Sequence, residues 1–301
     1  MFYQDTEDLF ARQHPVAGPL AVAVHGHELD EPQGQVAGPG ELGQRDDLLF
    51  GLAPDGQCVE LDLAKARELK QAGFASVGIS LDSHNAAVND RFRGVEGSHA
   101  RALSALGFLQ EAGVSTSVST VTCSINQDSL GEIITLVRLY GVTRLNLHNF
   151  KCVGHGLANK DELDLSPLEW QAFYRRALEV KSKIPDLEIS FDDPVIASLG
   201  LPTESSLVKG SICGKLSLAI KTNGDITPCG FIPIVIGNIV RDDFGEVWRN
   251  APLLAKMRHK EPSGKCGACD HYSDCLGGCS ARALALTGDI NNPDPHCWVE
   301  P

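Results

Sequence analysis

From residue 60 onward the apolar positions fall into two alternating rhythms. Leu63, Ala64, Ala66, Leu69 and Ala72 recur near helical spacing and Gly73 follows, so a helix is predicted over 61–72. The run ASVGISL predicts a strand over 75–81. The same pairing repeats downstream: a helix over 98–112 closed by Gly113, a strand over 114–121, a helix over 128–140 ending at Gly141, and a strand over 143–149. A helix over 166–183 follows, with Pro167 in its first turn, and then a strand over 187–191. Strands that alternate with helices imply parallel strands joined by right-handed crossovers, with any ligand at their carboxyl ends.

Two other stretches have a different texture. Residues 1–57 carry 13 Gly and Pro and show no period beyond the patch 20–24, so they are expected to be irregular: disordered, or out of frame with the rest. After residue 205, two strand-like runs, 216–221 and 226–228, flank Thr222-Asn223-Gly224-Asp225, a strong hairpin signal. Phe244, Val247, Trp248, Ala251, Leu254 and Met257 form a helical stripe that Pro252 kinks or breaks; its plain reading is core packing.

Composition narrows the class. With 301 residues, 43% of them apolar and 22% charged, the chain is of ordinary globular make-up and long enough for two domains. The 39 acids against 26 bases leave a net charge of −13, which argues against a nucleic-acid-binding surface. No apolar run is long enough to span a bilayer and no secretory signal is visible, so a cytoplasmic location without membrane contact is expected.

Cysteine changes the picture. There are ten, seven of them from Cys213 onward: Cys213, ten residues, Gly224, four residues, Cys229; then Cys266, Cys269, Cys275 and Cys279 as C-x2-C-x5-C-x3-C; then Cys297. A reducing compartment disfavours disulfides, and clustered thiolates suit iron–sulfur clusters or zinc. Zinc prefers four ligands in close pairs, which three separated groups fit poorly, though a zinc-stabilised binding scaffold and inert buried thiols both remain open. Cys58, Cys123 and Cys152 read as plain core or surface cysteines. His271 and His296 flank the cysteines and could tune or ligate a cluster or stand as loop histidines, and Asp270 and Asp274 read as turn residues.

The run CGKLSLAIKTNGDITPC, then GNI, VW, CGACDHYSDCLGGC and DPHC, resembles the SPASM domain that closes many radical S-adenosylmethionine (radical SAM) enzymes. The resemblance implies two auxiliary [4Fe–4S] clusters, one held by Cys213, Cys229 and Cys279, the other by Cys266, Cys269, Cys275 and Cys297. Some members carry one more cysteine upstream of the Cys213 position; SSLVKGSI here has none, so the first cluster would have an open iron or a non-cysteine ligand. GISLDS at 78–83, NDRFRG at 89–94 and the helix start after it resemble the second half of the radical SAM partial barrel. That resemblance places Ser80 and Asp82 against S-adenosylmethionine; the plain reading of Asp82 is a helix or turn cap. Arg91 and Arg93 are candidates for a carboxylate clamp, or surface charges.

The resemblance stops short at the other end. The C-x3-C-x2-C run whose cluster cleaves SAM is absent, since Cys58 is the single cysteine before Cys123, and the Gly-Gly-Glu-Pro segment is absent too. The expected architecture is therefore α/β: an irregular segment at 1–57, a truncated partial (β/α) barrel at 58–200, and a small cysteine-rich SPASM domain with a β-hairpin and helices at 205–301. The resemblance implies modification of a peptide, or of a small-molecule precursor of a quinone- or haem-type cofactor. A reducing partner such as ferredoxin or flavodoxin would go with it. In this chain SAM cleavage would be incomplete. Gly230 after Cys229 replaces the acidic residue of sulfatase-maturing relatives and disfavours that activity. The alternative is a non-catalytic auxiliary-cluster protein for electron transfer or peptide binding.

Overall fold

A computed structural model describes residues 61–200 and 209–300, together with the backbone of two strands at 21–25 and 49–53. The chain divides into two compact units: residues 1–148 with 180–191, and residues 149–179 with 192–301. The expected boundary near residue 200 thus differs from the observed grouping, because 149–179 and 192–200 cluster with the cysteine-rich residues.

The first unit is built on a six-stranded sheet: β1 (Ala21–His25), β2 (Leu49–Ala53), β3 (Ser76–Ser80), β4 (Ser115–Thr122), β5 (Arg144–Asn149) and β6 (Glu188–Phe191), hydrogen-bonded in sequence order. The registers of β1–β2, β2–β3, β3–β4 and β5–β6 are parallel. Parallel strands in sequential order, with a helix after each of β3 and β4, give the one-way winding of a (β/α) barrel portion. β1 and β2 come from the stretch expected to be irregular; five-residue strands are too short to carry a period among so many Gly and Pro, and the rest of 1–57 lies outside the described residues.

Helices pack on this sheet as the apolar spacing demands. α1 (Leu63–Gln71) starts where the Asp62 side chain accepts from the Lys65 N–H. α2 (Ala86–Arg93), which no periodicity announced, is capped by Asn85 and closed by Gly94 in the left-handed region. α3 (Ser98–Glu111) buries Ala102, Ala105, Leu106 and Leu109. α4 (Leu130–Leu139) buries Leu130, Ile133, Ile134 and Val137. β4 alternates as its sequence STSVSTVT suggests: Thr116, Val118, Thr120 and Thr122 are buried, while Ser117 and Ser119 sit half-exposed on the other face. That second face is polar across strands. Ser190 Oγ donates to Asn146 Oδ1 at 2.7 Å, and Asn146 Nδ2 reaches Ser119 Oγ at 3.4 Å.

The second unit holds most of α7 (Pro167–Lys183), preceded by two single turns, α5 (His155–Ala158) and α6 (Lys160–Leu163). Its small sheet is antiparallel: β7 (Ala219–Ile220), β8 (Asp225–Thr227) and β9 (Gly237–Asn238). The Asn-Gly hairpin forms between β7 and β8, with Gly224 at φ +84°. The apolar stripe at 244–257 becomes two helices, α8 (Phe244–Asn250) and α9 (Pro252–Arg258), because Pro252 cannot continue the first and opens the second. α10 (Tyr272–Cys275) and α11 (Ser280–Thr287) carry the last cysteine run. Among the described residues no helix is long and apolar enough to cross a membrane.

Candidate iron–sulfur centres

The seven C-terminal cysteines gather in two places within the second unit. Cys229 and Cys279 belong to one buried cluster with Ile232, Met257, Ala281 and Ile290, and Cys213 packs against it. Cys213 lies on a loop closed by a bridge to Ser217, Cys229 follows β8, and Cys279 is the residue from which α11 starts. These sulfurs interact: the Cys229 S–H donates to Cys213, which holds the Cys213 thiol down at about 6 with help from Ser211 and Lys151. Cys229 is pushed far up by the same contact and by burial. Burial also raises Cys279, against the pull of Lys151 and Arg282.

Cys266, Cys269, Cys275 and Cys297 line one cavity, with Ser198, His271, Tyr272, Gly277, Asp294 and Val299. A 3₁₀ turn over Gly264–Ala268 positions the C-x2-C pair, and the Cys269 N–H donates to the Cys266 carbonyl at 3.3 Å. Lys265 Nζ, donating to the Cys297 carbonyl at 2.7 Å, ties the last cysteine to that turn. Burial pushes Cys275 up to about 12 and raises Cys266 and Cys297. None of the described cysteines is in a disulfide. Two separate groups of soft donors, one of four thiols and one of three, fit iron–sulfur clusters better than a single tetrahedral zinc.

One buried network, which the sequence reading missed, links the framework of both groups. Arg282, fully buried, donates through Nε to Asp294 Oδ1 at 2.7 Å and through Nη2 to Asp294 Oδ2 at 2.5 Å and Asp193 Oδ1 at 3.0 Å. Asp294 lines the four-cysteine cavity, and its Oδ2 accepts the backbone N–H of Cys279 at 2.6 Å. Asp193 also accepts from Tyr174 Oη at 2.8 Å and Asn149 Nδ2 at 2.7 Å. Lys151 pairs with Asp192 at 3.3 Å, donates to Asn149 Oδ1, and sits 5.9 Å from the ring centre of Phe231, two residues past Cys229. The only clue was spacing: Arg282 stands three residues after Cys279, and Asp294 three before Cys297.

At the strand ends of the first unit the two candidates part company. Ser80, half-buried, closes β3 opposite Ser119. Asp82 is 1% exposed. Its Oδ2 pairs with Arg93 Nε at 2.5 Å, and its Oδ1 accepts the Val121 N–H at 2.8 Å. Asn89 Oδ1 accepts the Asp82 N–H, and Asn126 Nδ2 donates to the Asp82 carbonyl. Burial raises Asp82, with Arg93 opposing. Both carboxyl oxygens of Asp82 are engaged by the chain itself, Arg93 clamping one and the Val121 N–H the other. Asp82 is an ion-paired brace of the β3–α2 loop, and Ser80 keeps the accessible hydroxyl.

The remaining candidates are dispersed. His271 lines the four-cysteine cavity; His296 instead stacks on Trp170. Asp274 pairs with Lys209 at 2.9 Å. Cys123 is buried, and Cys58 lies outside the described residues.

Residues 213–270 match the SPASM family, an iron–sulfur cluster-binding domain. Over 302 aligned residues, the chain is 26% identical to the AdoMet-dependent heme synthase of Methanosarcina barkeri (strain Fusaro / DSM 804), covering 95% of this chain and 84% of the relative. It is 31% identical over 246 residues to the mycofactocin maturase MftC of Mycobacterium ulcerans (strain Agy99), covering 79% of this chain and 65% of the maturase. Among solved structures it is similar to SuiB of Streptococcus suis bound to S-adenosylmethionine, with TM-score 0.67, 16% identity and coverage of 84% and 60%. SuiB has also been solved with its precursor peptide SuiA. The chain thus spans less than two thirds of the length of MftC and of SuiB. The heme synthase alignment leaves out 5% of this chain, so it takes in most of residues 1–57; together with β1 and β2 this speaks against an out-of-frame opening.

Proposed function

We propose that this chain, which belongs to the radical SAM proteins with a SPASM domain, is an iron–sulfur protein acting in the maturation of a peptide or of a peptide- or porphyrin-derived cofactor. The observation that supports this most is the sorting of seven buried or half-buried cysteines into two groups, one of three and one of four. In this reading Cys266, Cys269, Cys275 and Cys297 hold one [4Fe–4S] cluster. Cys213, Cys229 and Cys279 hold the other and leave one iron for a non-cysteine ligand. Such clusters supply one-electron transfer, with potentials set by nearby charge and hydrogen bonds.

What the protein contributes is placement. Asp294 fixes the amide of Cys279 and is itself fixed by Arg282, so the start of α11 cannot drift. Lys151 and Arg282 put positive charge beside the three-cysteine group. The polar face of the parallel sheet, with Ser80, Ser119, Asn146 and Ser190, would take S-adenosylmethionine or substrate through neutral hydrogen bonds. Residues 1–122 hold no C-x3-C-x2-C run, so the chain has no cysteine triplet of the usual kind for a SAM-cleaving cluster.

The test is anaerobic assembly with iron and sulfide. The reading expects about eight irons per chain and a broad absorbance band near ~400 nm. Incubation with dithionite and S-adenosylmethionine is expected to give 5′-deoxyadenosine no faster than protein-free controls. A colourless, iron-free protein would discard the cluster assignment. Rapid deoxyadenosine formation would discard the incompleteness and leave a full radical enzyme.

A further inference from the structure

Cys152, Asp164 and His296 come from three separate segments: the loop after β5, the loop before α7 and the C-terminal loop. The Cys152 Sγ donates to Asp164 Oδ2 at 2.9 Å, and His296 Nε2 meets the same oxygen at 2.9 Å. One ligand atom from each residue lies within 4.8 Å of the others. Cys152 is fully buried and His296 is 2% exposed.

The arrangement is held from outside. Asp164 Oδ1 accepts from Trp170 Nε1 at 3.3 Å and from the Leu165 N–H at 2.8 Å, which leaves Oδ2 for the other two residues. The imidazole stacks on the Trp170 indole, 5.4 Å between centroids and 24° between planes. The His296 N–H is fixed by Asp294 Oδ1 at 3.0 Å. A thiol, an imidazole and a carboxylate, the carboxylate oriented by hydrogen bonds and the imidazole by stacking with its Nδ1 buried and unpartnered, make a metal-ligand set. Neither cysteine group discussed above includes any of the three.

We propose that Cys152, Asp164 and His296 form a separate divalent-cation site, and that its ion is zinc. Calcium and magnesium take oxygen donors, whereas one sulfur, one nitrogen and one oxygen suit zinc. On binding, the thiol gives up its proton to solvent and the imidazole carries its proton on Nδ1, so that Sγ, Nε2 and Oδ2 all face the ion. Three protein ligands leave the fourth tetrahedral position for water. The ion would pin the C-terminal loop to the loop ahead of α7.

The cluster-loaded protein, incubated anaerobically with zinc chloride and passed over a chelating resin, is expected to keep about one zinc per chain. The zinc X-ray absorption edge should show one sulfur at ~2.3 Å with nitrogen and oxygen at ~2.0–2.2 Å. Asp164→Asn and Cys152→Ala should each cut retained zinc at least tenfold with the iron count unchanged. No retained zinc, a shell of four sulfurs, or full retention in both variants would each overturn the site. Iron content reports on the cluster assignment separately, so failure of one reading is not failure of the other.

Discussion

Replacing Arg282 by methionine would strand two carboxylates in the interior. The guanidinium makes four hydrogen bonds, two to Asp294 and two to Asp193, and all three side chains are 1% exposed or less. Methionine keeps most of the apolar stem and removes the charge. Breaking a buried ion pair from one side costs about 3–5 kcal/mol, and with two acids stranded the upper end applies. Against a total stability of about 5–15 kcal/mol that is a third or more, or about 10 °C in melting temperature. The assay is anaerobic thermal unfolding followed by tryptophan emission, because Trp170, Trp248 and Trp298 all belong to the second unit. The deficit should depend on pH. Burial pushes Asp193 up, but Arg282, Lys151 and Asn149 overcome this and hold it at about 2, below its ordinary 3.8. A depressed carboxyl stabilises above pH 3.8 and loses that contribution as the pH falls towards 2. Without Arg282 the stranded Asp193 takes up a proton at higher pH, so the gap between variant and parent is widest near neutrality and narrows towards pH 4. A loss below ~1 kcal/mol at pH 7, or a gap that widens on acidification, would refute the reasoning. In Asp294→Asn the second substitution should cost less than it does alone, since the pair acts as one unit.

Other consequences are quicker to state. Leu106→Ala, at a fully buried position on α3, should cost about 2–5 kcal/mol in urea unfolding of the first unit. Asp90 accepts from the N–H groups of His99 and Gly97 and from the Ser98 hydroxyl, so carbon NMR should find its carboxyl titrating at about 2; a midpoint near 4 would mean those bonds do not persist in solution. Asp82→Asn should loosen the β3–α2 loop, read as faster amide exchange at Val121; unchanged exchange would remove its bracing role. Cys275→Ala and Cys279→Ala should each lower the iron count by about four, and together by about eight, if each group holds one cubane.

How much of this could be read from the chain depends on how local each feature is. The helices over 98–111 and 130–139 and the strand over 115–122 carry their own apolar rhythm and lie within a residue or two of the expected limits. The hairpin needed only Asn223-Gly224; the cysteine spacings pointed to metal chemistry, while the division into two groups came from the family resemblance. α2 was hidden because its eight residues, AAVNDRFR, have too few apolar positions for a period; the caps Asn85 and Gly94 were its signal. β1 and β2 were hidden by the Gly and Pro around them. Arg282 and Asp193 stand 89 residues apart, and no local pattern joins them. Cys152 looked like an ordinary core cysteine because Asp164 and His296 reach it only through the tertiary fold. The strand-end position of Asp82 was visible, and so was a carboxylate clamp as one reading of Arg93; that Asp82 itself is the carboxylate Arg93 clamps was not.

Between Cys275 and Cys279 the backbone takes the left-handed conformation three times in a row, at Leu276, Gly277 and Gly278. A methyl group on Gly278 would sit 2.4 Å from Asp294, inside the carboxylate that holds both Arg282 and the Cys279 amide. In a saturation library selected for iron retention, position 278 should come back as glycine alone. Position 276, where leucine bears the strain without such a collision, should be enriched for glycine or asparagine. Two positions on either side of Gly277 in one tight bend would thus show opposite tolerance to drift.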